Sequence, residues 1–465
     1  MYAIRVGFVP LHREVFDEEW AVELRKRTIK ALSVIKGLEL VVPDEDLTRN
    51  GLVRCEEDAE NVIRLFEDRK VSGVMLGTMT FGDEISAIRF GEAFPKHPIL
   101  LFGTKEGPFT PDGRRKSDSF CGTLSVSSGL YRRGIPFLFA GMVFPEEEEF
   151  LTAVENFVKT CSIINGFHGA RIGLIGPRPE TFETCAFNEV ALMNNFQQRI
   201  VQVSLAHVFA VADGLGDREA EVLKIVEQMK RQSDTSLVSE ETLRKMAKLE
   251  IVLRRIAEEK KLAAMGVRCW TEMQEVYGIS PCYVMGRLTE TGIMSSCEVD
   301  VHGALTMLIQ YLASLRSALP HFIDWTIQHQ ERENVFLAWH CGNAPPSLCE
   351  GARIVLRDQS VLGRVLGLER SQGTAEFQLR PGEVTICRLV EYDGKFKMLI
   401  TRGRIVRSEE ELRGSWSWVE VQDLDKLYRT LVEEGFIHHA SMVHGDHVEP
   451  IKDACKLLGI EAVIV

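Results

Sequence analysis

The chain has 465 residues, 45% hydrophobic and 26% charged, the balance of a soluble globular protein too long for one ordinary core, so two or three domains are expected. Its formal net charge of −12, spread over interspersed acidic and basic residues, argues against a general affinity for nucleic acid or an anionic membrane. The opening MYAIRVGFVPL lacks the basic start and cleavage site of an export signal, and no stretch reaches the ~20 apolar residues of a membrane span, so a cytoplasmic protein is expected. In chain order, residues 4–10 form an apolar, strand-like run, and 18–35 follow with helical periodicity. Residues 38–42 read as a strand, 59–68 as a helix, 71–76 as a strand, 84–90 as a helix and 99–103 as a strand. This alternation predicts a parallel sheet covered by helices over residues 1–165, interrupted by a Pro-, Gly- and charge-rich loop at 107–119. The acidic run 146–149 precedes an apolar helical pattern, where the helix dipole favours negative charge.

A second α/β region, 166–344, begins with a strand at 171–176, a loop at 177–181 and a further strand over 202–211. Its Lys/Glu-rich stretch 218–261 reads as two solvated surface helices. Apolar runs at 262–267 and 293–299 are strand-like, 303–319 has the spacing of a buried helix, and 335–338 is another strand. From residue 345 the texture changes to short strands at 353–356, 374–379, 383–391, 395–406 and 416–421, broken by Gly and Asp. A helix at 424–434 and a closing βα-like piece end the chain. The fold class read from this pattern is α/β: two Rossmann-like parallel-sheet domains (1–165, 166–344), then a β-rich, barrel-like C-terminal domain (345–465). The eleven cysteines sit in apolar contexts without a C-x-x-C pair, which predicts reduced, buried thiols and no zinc ribbon.

Ionisable residues gather beside small residues in Arg268-Cys-Trp-Thr-Glu-Met-Gln274, Ser296-Cys-Glu-Val-Asp-Val-His-Gly-Ala304 and Gly435-Phe-Ile-His-His-Ala440. Glu298 and Asp300, two apart on a strand end, would point to one side, toward the crevice where open α/β sheets bind ligands. Asp300 could equally serve as a helix cap. Two carboxylates and an imidazole, as in Glu272, Asp300 and His439, suit a divalent metal with open positions, Mn²⁺ or Mg²⁺ before any soft-ligand ion. Such a metal polarises a sugar carbonyl while a carboxylate moves a proton between adjacent carbons.

Cys297-Glu-Val-Asp-Val-His-Gly-Ala-Leu-Thr-Met307, with Cys269-Trp-Thr-Glu-Met273, Ala338-Trp-His-Cys-Gly-Asn-Ala-Pro345 and His438-His-Ala-Ser-Met-Val-His-Gly-Asp446, resembles the L-fucose isomerase family, and L-arabinose isomerase more distantly. The resemblance implies a metal-dependent aldose–ketose isomerase working through an ene-diol on L-fucose, arabinose or a related hexose. It implies Mn²⁺, with Mg²⁺ or Co²⁺ as alternatives, held by a Glu, an Asp and a His. Carried over, these are Glu272 (or Glu275 or Glu298), Asp300, and His439 (or His438), with Glu272 and Asp300 as the acid/base pair. Trp270, Arg178, His340 and His438 are substrate-binding candidates. The resemblance also implies a homo-oligomer, trimer or hexamer, in which His12 and Arg13 of a neighbouring subunit help complete each site. The alternative reading is a non-catalytic sugar-binding protein. A nucleotide-dependent oxidoreductase is disfavoured because Val6-Gly-Phe-Val-Pro-Leu11 has one glycine where the phosphate turn wants three.

Overall fold

The computed structural model describes residues 2–351 and 353–465. The chain divides into two compact units, one ending at Asn165 and the other beginning at Gly166. The first unit alternates β1 (Ile4–Leu11), α1 (Glu18–Leu32), β2 (Leu38–Val41), α2 (Glu56–Arg69), β3 (Gly73–Thr78), α3 (Glu84–Ala93), β4 (Ile99–Thr104), α4 (Ser119–Arg132), β5 (Leu138–Val143) and α5 (Glu148–Phe167). Its five strands pair in parallel in the order β2-β1-β3-β4-β5. The apolar runs of β3 and β4 are buried along their whole length, as a parallel sheet covered on both faces requires. Local chemistry sets the helix starts: Asp17 and Asp83 accept from Trp20 N–H and Ser86 N–H at the N-termini of α1 and α3. Gly7 in β1 lets α2 approach, since a Cβ there would lie 2.3 Å from the Phe66 ring.

The second unit opens with β6 (Arg171–Ile175), α6 (Glu189–Phe196), β7 (Arg199–Val203), α7 (Leu205–Asp213), α8 (Ala220–Gln232), the two-residue β8 (Ser233–Asp234), α9 (Glu240–Lys260), β9 (Ala264–Val267), α10 (Cys282–Glu290), β10 (Met294–Ser296) and α11 (Val301–Ala313). A parallel sheet runs β10-β9-β6-β7. The strand expected over 202–211 is instead the end of β7 followed by α7. Leu205, Val208, Phe209 and Ala212 bury a stripe at helical spacing within an apolar run that strand and helix can share. The stretch 218–261 is helical as expected, but α9 is not simply solvated: its inner face, including Glu250, is buried.

The unit closes with β11 (His321–Gln328), β12 (Val335–His340), β13 (Ile354–Asp358), α12 (Gly363–Leu366), β14 (Gln372–Gln378), β15 (Gly382–Tyr392), β16 (Lys395–Val406), β17 (Ser415–Val421), α13 (Leu424–Glu433), β18 (His439–His444), α14 (Val448–Leu458) and β19 (Glu461–Ile464). Strands β15, β18, β11, β12, β17 and β16 pair antiparallel in a ring, the last closing back on the first, so the barrel expected from the short, punctuated strands is present. Closure removes the open edges that would otherwise template aggregation. The ring draws β11 and β12 from before residue 345, and α11 packs against both β9 and β10 of the parallel sheet and β15 and β18 of the barrel. Buried Gln310 of α11 fixes that contact, donating to Thr385 O at 3.0 Å and Ser441 O at 2.9 Å. Residues from Gly166 onward therefore cohere as one body across position 344. Among the described residues no helix is long and apolar enough to cross a membrane.

Candidate active site

Four chain segments of the second unit meet at the junction of parallel sheet and barrel. The first is the turn between β10 and α11. Glu298 and Val299 both take left-handed backbone, with φ of 58° and 57°, a conformation costly for a β-branched residue and sustained only by its surroundings. Gly266 of β9 makes room for that turn: a Cβ there would lie 2.9 Å from the Val299 backbone. The turn sends the neighbouring carboxylates to different places. Asp300 points inward and caps α11, taking Gly303 N–H at 2.8 Å on Oδ1.

Asp300 is saturated. Its Oδ1 also accepts from Arg388 Nη2 at 3.1 Å, and its Oδ2 accepts from Arg388 Nη1 and from His439 Nδ1, the latter at 2.8 Å. Both Asp300 and Arg388 have side chains only 1% exposed. Burial alone would raise the Asp300 pKa, but Arg388 and His439 outweigh it and hold the carboxyl well below the usual range. An ionised acceptor at Nδ1 fixes the His439 tautomer with its proton there, leaving the Nε2 lone pair free. Expected as a metal ligand, Asp300 stands here behind the imidazole, its oxygens accepting from Gly303, Arg388 and His439, and it shares a candidate metal-holding group with Cys185 and His439.

What His439 Nε2 faces is Glu298 Oε2 at 3.0 Å and Asp324 Oδ1 of β11 at 3.7 Å. Asp324 lies directly opposite His439 in the β11–β18 register. His340 Nε2, from the end of β12, lies 3.9 Å from the same Asp324 oxygen, and His438 Nε2 lies 3.9 Å from Glu298 Oε2. His439 Nε2, Glu298 Oε2, Asp324 Oδ1 and His340 Nε2 are all buried without a hydrogen-bond partner among the described residues. Two carboxylate oxygens beside an imidazole nitrogen, none with a partner among the described residues, make a site suited to a cation. Burial works against charge on the His439 ring, yet its contacts with Asp300, Cys185 and Glu298 outweigh it and raise the pKa well above the usual value, so the acidic surroundings of Nε2 suit a proton or a metal ion. Three donor groups within 4.8 Å form around His439: Glu298 with His438, Asp324 with His340, and Cys185 with Asp300. His340 differs from His439, because its Nδ1 accepts Cys341 N–H at 2.9 Å. Its Nε2 therefore carries the proton and serves as a donor.

The remaining sequence candidates lie apart from this convergence. Glu272 joins none of the three groups. Its carboxylate is held by Arg268, which also donates to Pro177 O at 3.0 Å and Arg178 O at 3.2 Å. Glu272 and Arg178 instead line a cavity of about 940 Å³ at the ends of β6 and β7, and Glu275 is exposed. Of the expected convergence of Glu272, Asp300 and His439, the structure brings together the last two; Glu272 pairs with Arg268, and Glu298 faces His439. Trp270 connects to the site edge through Phe182, whose ring lies 5.7 Å from Trp270 and 6.4 Å from His438. In the first unit His12 is buried with Nδ1 2.9 Å from Thr80 Oγ1, and Arg13 donates to Gly82 O and lies over the Phe81 ring. Asp324 and Arg388 were not among the sequence candidates, although Asp324 is the lone acid of the apolar strand HFIDWTIQ and Arg388 interrupts the apolar stretch ICRLV of β15, which is the signal for a buried partner.

Residues 7–168 match the family model described as fucose/sulfoquinovose isomerase, N-terminal domain, and residues 338–465 match L-fucose isomerase, C-terminal domain. A sulfoquinovose isomerase from Priestia aryabhattai is 25% identical over 468 residues, covering 99% of this chain and 98% of that protein. One from Alkalicoccus urumqiensis is 25% identical over 470 residues, covering 99% of each. One from Clostridium sp. (strain MSTE9) is 24% identical over 402 residues, covering 84% of this chain and 86% of its own. With both terminal domains matched and relatives aligned from end to end, the chain belongs to the L-fucose isomerase family and is an aldose–ketose isomerase.

Proposed function

We propose that the enzyme is a divalent-metal-dependent isomerase of a hexose, with Glu298, Asp324 and His439 as its metal ligands. The observation that carries this reading is His439 Nε2, which lies 3.0 Å from Glu298 Oε2 and 3.7 Å from Asp324 Oδ1, all three atoms being buried without a hydrogen-bond partner among the described residues. They make up a Glu, an Asp and a His, the donor types the family resemblance implies, and a carboxylate-rich set suits Mn²⁺, with Mg²⁺ or Co²⁺ as alternatives. When bound, the ion supplies Lewis-acid polarisation of the sugar carbonyl.

The protein's own groups do the rest. Going from aldose to ketose, a proton leaves C2 and returns at C1, and a second passes from O2 to O1. Glu298 and Asp324 are the carboxylates at the site with an unpartnered oxygen, so one of them takes the C2 proton and returns it to C1. His340 Nε2–H, and His438 beside Glu298, are placed to hydrogen-bond the sugar oxygens. Arg388 and Asp300 hold His439 in one tautomer and orientation, as carboxylate–imidazole pairs do behind metals.

Sulfoquinovose, named in the relatives and in the N-terminal family model, heads the substrate candidates, with L-fucose and arabinose behind it. A homo-oligomer whose neighbouring subunit brings His12 and Arg13 to the site belongs to the same reading. So does a reducing, cytoplasmic setting, supported by eleven cysteines without a disulfide among the described residues. The test is to strip the enzyme with chelator, restore Mn²⁺, and assay ketose formation from these sugars. Mn²⁺-restored turnover of sulfoquinovose above the others is expected; full activity after metal removal would refute metal dependence.

A further inference from the structure

Away from this site, α8, α9 and α10 wall a pocket of about 420 Å³ lined by Gln228, Arg231, Gln232, Arg254, Arg287 and Glu290, among others. Beneath it lies Glu250, fully buried, which accepts from Arg287 Nε at 2.5 Å and Nη2 at 3.2 Å and from Arg254 Nη2 at 2.5 Å. One carboxylate thus answers two guanidiniums. Arg231 adds a third at the exposed edge, and the rim carboxylate, Glu290, is engaged by Ser347 N–H at 3.0 Å. Three guanidiniums against two carboxylates leave the pocket with net positive charge.

Apart from the second oxygen of Glu290 at the rim, the polar groups left over are mainly donors. Gln228 and Gln232 both turn their carbonyl oxygens to Arg287, so their amide NH₂ groups are what remains to offer. Arg254 Nε is buried without a hydrogen-bond partner among the described residues. A purely structural network accounts for the Glu250 pairs, but not for an orphaned guanidinium N–H beside an extra arginine. Donor-rich, net-positive concavities fit multiply charged oxyanions, which arginine binds through paired N–H groups. The volume exceeds a bare ion and is of the size that takes a small organic ligand.

We propose that this pocket binds a phosphate group, as a sugar-sized phosphate monoester or as the free ion. The site is independent of the isomerase assignment. It does bear on the same architecture, because α10, carrying Arg287 and Glu290, leads through β10 into the turn that bears Glu298.

The test uses the full-length enzyme in its native assembly, titrated calorimetrically with inorganic phosphate and, separately, with glucose 6-phosphate. Saturable binding is expected, weakened at least about tenfold by Arg231→Glu and by Arg254→Gln. Both variants should keep the wild-type circular dichroism spectrum and isomerase turnover. Binding of the ester should also weaken from pH 7.5 to 5.5, as a phosphate monoester loses its second charge near its pKa of about 6. Tighter binding of the ester assigns the pocket to an organic phosphate; equal affinities assign it to the free ion. No saturable binding of either probe up to about 10 mM, or binding unaffected by both substitutions, would overturn the proposal.

Discussion

Two regions of the second unit gather carboxylates at strand ends, and they differ in what those groups have left to do. At the ends of β6 and β7, Glu272 is held by Arg268, and Arg268 spends a further N–H on the Pro177 and Arg178 carbonyls. Where the β10–α11 turn meets β11, β12 and β18, Asp300 accepts on both oxygens from Gly303, Arg388 and His439, while Glu298, Asp324 and His439 each keep a buried atom with no partner among the described residues. Both regions are rich in charge and lie where α/β folds bind ligands. Burial of the unused bonding capacity separates them, and it is the ground for proposing the chemistry at the second.

The sharpest way to break this contrast is to remove one unpartnered atom. Glu298→Gln should lower kcat/KM by about 10³-fold and lose bound metal, with its thermal unfolding midpoint little changed. Near-normal turnover with full metal content would place the site elsewhere. Asp300→Asn tests the saturated side of the same cluster. It leaves the buried Arg388 guanidinium without its counter-charge, a loss of about 3–5 kcal/mol in urea unfolding. The double variant Asp300→Leu with Arg388→Met should recover most of that stability without recovering kcat, because nothing then orients His439.

A smaller effect comes from His321 of β11, whose Nε2 meets Ser415 Oγ at 3.0 Å. Burial, with His340 nearby, lowers its pKa from 6.5 to about 3. The folded state keeps the ring neutral while the unfolded chain takes up a proton, so this stability is present above pH 6.5 and lost as pH falls toward 3. Between pH 7.5 and 5 the loss is about 2 kcal/mol, read as the difference between the urea-unfolding pH profiles of wild type and His321→Gln. A constant difference would contradict a neutral buried ring. Smallest of all, Glu272→Gln should change kcat/KM by less than about threefold. A hundredfold loss there would mean that the Arg268–Glu272 pair opens to take part in catalysis.

The contrast also explains what the sequence could reveal. Hydrophobic periodicity made the alternating elements of the first unit and the short strands of the barrel legible, because each is a local pattern. The motif around Asp300 and the His438–His439 pair were legible for the same reason, and the fold brings these two segments together. Which carboxylate faces the site was not legible. Strand parity puts Glu298 and Asp300 on one side, and only the left-handed turn at Glu298 and Val299, which neither residue type favours, separates them. Asp324 reaches His439 through barrel pairing more than a hundred residues apart in the chain, and Arg388 claims Asp300 across a similar gap. Such long-range pairings leave no local trace. The run 202–211 shows the complementary failure: its apolar residues satisfy strand and helix periods at once, and packing decided for the helix.

The most direct test is a crystal of the enzyme grown with Mn²⁺ and measured for anomalous scattering. A peak is expected within ligand distance, about 2.0–2.3 Å, of Glu298, Asp324 and His439, with Asp300 still bonded to Arg388. A peak at Glu272 and Arg178 instead, or an ordered Mn²⁺ that leaves Glu298 and His439 untouched, would contradict the assignment.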